Sequence, residues 1–504
     1  MLDRLRNTVK HTTIYGFGKL GTKIIGLILL PLYTDYLTPD EYGMLSLLEA
    51  TSQIMIGVLG FRLSMAMMRW LATEKDENRK KTITSTTYIS TFASVVLLCL
   101  ILIPLKKELS LLYFNDGKFS RYFLILIVSA GIDILNHITF DLIRLAERSL
   151  LFISIMAVKF ISILGFNIYF IVALEMGVEG IILSMLIGNL LMLFISIPFI
   201  LRRMNFVFDF RTFGEMFRFG FPLIFSTVSV LILSFGDRFI LKYITGLSDV
   251  GIYALGYKIA GVINLLVLQS FQMGFVPVAY KMFDKPDAKR FFSRMLTYFT
   301  FVLMFSVLGI SFYSREVIEW FARKPEYWYA YHIVPFIAFA FLIKGWQLVV
   351  VLGLHKVKKT TVIAVSVMVA AILNIALNFL LIPWIGIFGA ATASIISTLA
   401  GMVLVFHYAQ KYFPVRYEYN RIAKILLTGV MLLAVYYSIN NLDLILRLAL
   451  KTLLLASFPF ILYMLRFYDP LEILRISSLW RTWKDPKAWG KNLKRIKNSK
   501  EEND

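Results

Sequence analysis

Apolar positions in this chain come in long runs, with few of the three- or four-residue stripes of a surface helix. A run of about 20 apolar residues is what one helix needs to cross the hydrocarbon of a bilayer, and such runs follow one another from end to end. Fourteen are read, at approximately 13–33, 42–68, 82–103, 122–143, 149–173, 178–200, 217–241, 251–280, 292–313, 330–353, 361–382, 387–409, 424–440 and 444–465. The pattern predicts an all-α polytopic membrane protein with fourteen transmembrane helices. No cleavable leader is read, because the first run is long enough to be a full span.

Charge changes the picture by fixing an orientation. Most of the 53 Lys and Arg fall in the two termini and in alternate connections, such as 69–81, 202–218, 281–294 and 356–359. The intervening connections, such as 34–41 and 175–179, are short and often acidic. Basic residues gather on the cytoplasmic side of membrane proteins, so both termini are expected inside, as an even number of spans requires. The same placement accounts for the net charge of +21 without a nucleic-acid partner. With 58% hydrophobic and 17% charged residues and a mean hydropathy of +0.71, a water-soluble fold is excluded. The single cysteine, Cys99, lies in an apolar run and allows no intramolecular disulfide.

The chain is also internally repeated. DYLTPDEYG (35–43) aligns with YITGLSDVG (243–251) at an offset of 208, each joining the first two spans of its half. Gly177 and Gly180 in MGVEGIILS match Gly386 and Gly389 in IGIFGAATAS at an offset of 209, and an Asn-Ile pair precedes each, at Asn167 and Asn374. Two six-helix lobes in parallel orientation follow, at 1–210 and 211–415. Spans 13 and 14 occupy 416–466, and a basic tail fills 467–504. Trp480, Trp483 and Trp489 in that tail suit the headgroup layer of an anionic leaflet, though a solvated basic tail explains the charge equally well.

Three motifs recur in a telling order: Tyr-Leu-x-Pro-x-Glu-Tyr-Gly after span 1, Asp-Arg in span 7 followed by Val-Gly-Ile-Tyr, and Gly-x-x-Gly-Ala-Ala entering span 12. With them, most of the chain resembles the polysaccharide transporter, or Wzx-type O-antigen flippase, branch of the MOP superfamily. The resemblance implies two lobes around a central cavity that opens alternately to either side. It further implies movement of undecaprenyl-diphosphate-linked oligosaccharide across the cytoplasmic (inner) membrane for O-antigen, capsule or exopolysaccharide synthesis. Membrane lipids surround the chain, a monomer is expected, and a polysaccharide polymerase and a chain-length regulator are the implied partners.

Charges inside spans are costly, about 2.5–3.5 kcal/mol each at mid-helix on insertion scales, so each needs a reason. Lys19 and Lys23 share one face of span 1, and with Arg62, Lys159, Lys258 and Lys344 they are candidates for a cationic cavity that replaces the hydration of a diphosphate. For Lys159 and Lys344 the alternative is a structural ion pair; for Arg62, near the cytoplasmic end of its span, it is snorkelling to the interface. Arg447 and Lys451, close to the outer end of span 14, are read as snorkelling residues. Acidic residues inside spans are Glu49, Asp133, Asp141 and Asp237. They are the candidates for H+ or Na+ coupling, with Asp237 and Arg238 as a gating or structural pair. Asp133, His137 and Asp141 form one polar stripe, either a cation relay or partners for Arg144 and neighbouring helices. Glycines and prolines such as Gly16, Gly18, Gly21, Gly26, Pro31, Pro222 and Gly236 are read as bends or close-packing positions.

No Walker loop, nucleophile elbow or metal-ligand spacing among His11, His137, His332, His355 and His407 is present, so the chain is read as a non-enzyme with no cofactor. Two other readings stand beside the flippase. One is a lipid II flippase. The other is a cation-coupled multidrug exporter of the MATE type, against which Lys19 and Lys23 argue.

Overall fold

The computed structural model describes residues 26–440, 442–470 and 472–474. Lys19, Lys23, most of span 1 and the basic tail with its three tryptophans lie outside them. Among the described residues the regular elements are helical, and thirteen helices are long and apolar enough to cross a membrane. These thirteen correspond one for one with spans 2 to 14.

The helices are α1 (Leu30–Tyr36), α2 (Pro39–Leu59), α3 (Leu63–Thr73), α4 (Glu77–Leu102), α5 (Lys106–Phe114), α6 (Ser120–Leu145), α7 (Ser149–Ile168) and α8 (Gly177–Leu201) in the first half. The second half carries α9 (Phe210–Ile244), α10 (Leu247–Val262), α11 (Gln269–Met282), α12 (Ala288–Phe321), α13 (Val334–Lys356), α14 (Thr360–Ile385) and α15 (Ile387–Tyr412), followed by α16 (Tyr419–Ile439) and α17 (Leu444–Met464). A π-helical stretch, Ile263–Leu268, joins α10 to α11 as one continuous span. In the first half α6 and α8 pack together with α4 and α7; in the second, α13 and α15 pack together with α14 and α12. The halves meet chiefly along α2 and α10, and α9, packed on α14 of its own half, also lies against α2, α3 and α4.

The motif after span 1 reads directly as local physics. Thr38 caps α2: its hydroxyl accepts from the Glu41 amide at 3.3 Å while the Glu41 carboxylate accepts from the Thr38 amide at 2.8 Å, and Pro39 fills the first turn, where no amide is required. Gly43 then permits a backbone crossing. A Cβ there would land on the carbonyl oxygen of Leu247, and one on Gly251 would land on that of Pro39. Gly43 and Gly251, like Pro39 and Leu247, are repeat-equivalent at offset 208, so the repeated segments touch each other around a local pseudo-two-fold axis.

Span 2 is not one helix. The chain leaves α2 at Gly60, places Phe61 (φ 43°) and Arg62 (φ 53°) in the left-handed region, and re-enters a helix at Leu63. Such backbone is tolerated at membrane depth only where protein or a cavity covers it. Here α9 covers it, so closely that a Cβ on Gly220 would meet the Phe61 carbonyl.

Spans 13 and 14 dock on α12 through charge, which corrects the snorkelling reading of Arg447 and Lys451. Both are buried, at 5% and 0% exposure. Lys451 Nζ lies 2.8 Å from Glu316, Arg447 Nε lies 2.7 Å from the same carboxylate, and Arg447 also approaches Glu319 at 3.6 Å. Arg315 pairs with Glu319 at 2.7 Å and donates to the Asn440 carbonyl. Two glutamates on the facing helix supply the counter-charges that make burial cheaper than a reach to the interface.

Candidate functional site at the seam between the halves

The Asp-Arg and Val-Gly-Ile-Tyr motifs form one unit. Asp237 on α9 is 1% exposed and accepts a 2.5 Å hydrogen bond from the Tyr253 hydroxyl on α10. Arg238 is buried beside it. Its guanidinium donates to the Ser234 carbonyl at 2.9 Å and lies 5.0 Å from the ring centres of both Phe235 and Tyr257, and its Nε finds no hydrogen-bond partner among the described residues. This geometry leaves the arginine with donor capacity in a low-dielectric setting.

Lys258, the residue after Tyr257, crosses the seam into the first half. Its ammonium donates to the Tyr42 hydroxyl at 3.3 Å and lies 5.6 Å from the ring centres of Tyr33 and Tyr42. Tyr33 in turn donates to Asn167 at 2.9 Å, which gives a structural role to one of the two repeat-matched asparagines. Glu49, half-buried on α2, is within electrostatic reach of Lys258, Tyr33 and Tyr42. The result is a cation held between tyrosine faces, with a carboxylate nearby.

Two cavities extend this seam. One, of about 220 Å3, lies at the break in span 2, lined by Gln53, Arg62, Thr91, His137 and Thr227 among others. Arg62 Nε donates to Thr227 at 2.8 Å, joining the first half to α9. The other, of about 120 Å3, lies within the second half and is lined by Ser234, Tyr257, Phe341, Lys344, Gln347 and Ser394 among others. Ser234 and Tyr257 touch Arg238 as well, so Arg238 and Lys344 flank one wall.

The structure thus brings Lys258, Asp237, Arg238 and Glu49 to the seam, with Arg62 and Lys344 in adjoining cavities. Lys159 lies apart, paired with Asp133 at 3.2 Å between α7 and α6. Asp141 pairs with Arg144 at 3.1 Å and is in electrostatic reach of Arg62. The polar stripe of α6 therefore splits into two ion pairs with His137 between them. Lys19 and Lys23 fall outside the described residues. Sequence reasoning missed the tyrosines, Tyr33, Tyr42, Tyr253 and Tyr257, and Thr227. The signal for two of them was present, since Tyr42 and Tyr253 sit inside the quoted motifs.

A family model described as polysaccharide biosynthesis protein matches residues 8–283. That is more than half of the chain, and the chain belongs to this family. A curated relative, the probable low-salt glycan biosynthesis flippase Agl15 of Haloferax volcanii, is 21% identical over 237 residues, 46% of this chain and 50% of the relative. The chain therefore spans about half the length of the curated relative it matches. Among solved structures, the lipid II flippase MurJ in an inward closed conformation superposes with a TM-score of 0.73 at 15% identity, over 91% of this chain and 100% of that one. An inward-facing MATE multidrug transporter of the MOP superfamily superposes with 0.63 at 12% identity, over 77% and 94%. The fold is shared with these two transporters. The chain is a multi-pass membrane protein.

Proposed function

We propose that this protein flips undecaprenyl-diphosphate-linked oligosaccharide repeat units across the cytoplasmic membrane for assembly of a surface polysaccharide. The observation that carries the reading is the cationic seam: Lys258, Arg238 and Arg62 stand at or beside the junction of two halves that must move against each other, in a chain of the polysaccharide biosynthesis family. A diphosphate cannot shed its water into hydrocarbon without replacement charges, and these side chains supply them, Lys344 extending the path into the second half. Lys19, Lys23 and Lys159 remain candidates for the same path. Glu49, which forms no ion pair among the described residues, is the carboxylate we assign to H+ or Na+ coupling, ahead of Asp133, Asp141 and Asp237.

The basic face is assigned to the cytoplasm, with both termini inside and lobes bounded near residues 210 and 415. The substrate's lipid tail stays in the bilayer while its headgroup crosses. A polymerase and a chain-length regulator would act on the product, and the chain works as a monomer. The test is direct: purified protein in liposomes should move a fluorescent undecaprenyl-diphosphate glycan to the opposite leaflet, and Lys258→Ala should slow it at least tenfold. A labelled glycan that stays in its original leaflet, with folded protein confirmed, would sink the reading. Likeness of fold to MurJ favours lipid II as the second substrate to assay. That alternative predicts lysis on depletion, where a repeat-unit flippase predicts loss of the surface polymer alone.

A further inference from the structure

The repeat has a second expression, away from the seam. On the basic face of the first half, an open basin of about 630 Å3 is lined by Glu77, Lys80, Lys81, Thr84, Arg202 and Arg203 among others. On the same face of the second half, a basin of about 650 Å3 is lined by Lys289, Arg290, Ser293, Arg294, Arg416 and Glu418 among others. An offset of 209 places Lys80 on Lys289, Lys81 on Arg290 and Thr84 on Ser293. This is the offset that relates Gly177 to Gly386. Arg203 and Arg416 close the two basins from equivalent places, just after the last helix of each six-helix half.

Both rims are fixed by a serine. Ser85 Oγ accepts from the amides of Asn205 at 2.9 Å and Phe206 at 3.1 Å, and Ser293 Oγ donates to the Arg416 carbonyl at 2.6 Å. Each bond ties the segment after the closing helix to the first turns of α4 or α12. Inside these rims the cations outnumber their partners. Lys80 pairs with Glu77 at 2.6 Å and Arg294 with Asp469 at 3.6 Å, but Lys81, Arg202, Arg203, Arg290 and Arg416 form no ion pair among the described residues. Arg203 stacks 3.9 Å from the Phe199 ring centre, and burial together with the nearby Arg148 guanidinium holds it below the usual arginine range. A bias of charge toward one face is met equally well by dispersed side chains. Gathering like charges into a concave site raises their mutual repulsion and focuses a positive potential, which an anion relieves.

Each basin is lined by residues of its own half, and the first is rimmed by Leu71, Leu142 and Leu145. We propose that the two basins are repeat-related sites for a phosphate ester, each taking the headgroup of one anionic phospholipid. The assignment does not depend on what the seam transports.

The test uses the full chain in neutral detergent, with retained phosphatidylglycerol counted by native mass spectrometry. Lys81→Gln with Arg203→Gln should remove one tightly held lipid and Arg290→Gln with Arg416→Gln a second, each site weakening about 30-fold for two lost cations. Phosphatidylcholine should be indifferent to all four changes. The exchange Lys81→Arg with Arg203→Lys should keep the lipid, which separates lost charge from lost folding. Millimolar inorganic pyrophosphate should displace phosphatidylglycerol from both sites, as recognition of phosphate itself requires. Equal retention by the wild type and the fourfold variant would overturn the proposal. So would sites that hold an undecaprenyl diphosphate but release phosphatidylglycerol, since they would belong to the substrate. Wild-type protein that retains two lipids and flips nothing would leave this inference standing and remove the transport reading.

Discussion

Asp237 carries a formal charge in a place with 1% exposure, and what holds it there is one short bond from Tyr253 and the adjacent Arg238 amide at 2.9 Å. A hydrogen bond to a charged acceptor contributes about 1.5–3 kcal/mol, and a buried acceptor left unmade costs its desolvation in full. Tyr253→Phe keeps the ring and removes only the donor, so it should destabilise the protein by about 2 kcal/mol, read as a lowered Tm in detergent. Asp237→Asn retains an acceptor for Tyr253 and removes the charge, and its Tm should fall less. If Tyr253→Phe unfolds at the wild-type temperature, the motif pair is not a lock. The motifs themselves were legible in the sequence as a resemblance. Their physics was not, because nothing in the residue order says that the Asp of one helix meets the Tyr of the next.

The crossing of α2 and α10 makes its prediction at the level of the element. The obstacle facing an added methyl at Gly43 or Gly251 is a backbone carbonyl, which no rotamer change can move. Gly251→Ala should therefore cost about 1–3 kcal/mol or force the helices apart. Gly261→Ala, on the same continuous span with nothing within 4 Å of the new methyl, should stay within about 0.5 kcal/mol of wild type. Paired thermal unfolding and flipping assays on the two variants decide it. Equal behaviour of the pair would mean that α2 and α10 do not cross as described. The docking of α16 and α17 is tested in the same way. Lys451→Met strips one counter-charge from Glu316 and should cost about 3–5 kcal/mol, with release of the last two spans as the first step of unfolding.

At this level the sequence was informative wherever hydrophobicity alone decides. Thirteen helices lie where the apolar runs put them, because the bilayer permits little else. The offset of 208 between 35–43 and 243–251 was also visible, but an alignment carries no pseudo-axis, so it could not show that the aligned glycines face each other. The break at Phe61 and Arg62 escaped because both residues suit an ordinary helix; only Gly57 and Gly60 hinted at it. Arg447 and Lys451 were misread for a related reason. Their partners, Glu316 and Glu319, are more than 100 residues away and lie at the end of a span, where charge attracts no notice.

For the molecule as a whole, orientation governs the proposed transport, since with its basic face outward the protein would gather the proposed substrate from the wrong leaflet. Lys and Arg resist transfer during insertion, and the short connections of this chain are of the length over which that bias acts, which favours the basic face inside. The asymmetry is also structural. At the opposite face the halves are stitched by polar bonds of fixed partners: Thr34 to the Phe321 carbonyl at 2.9 Å, Lys324 to the Leu37 carbonyl at 2.9 Å and Tyr327 to the same oxygen at 3.2 Å. Those bonds must break whenever that face opens. In a Cys99→Ser background, a cysteine at Glu326, on the stitched face, should react with an impermeant maleimide on intact cells. One at Val207, exposed on the basic face, should react only after the membrane is opened. The reverse pattern would invert the protein, and with it the direction of transport and the leaflet against which both lipid basins rest.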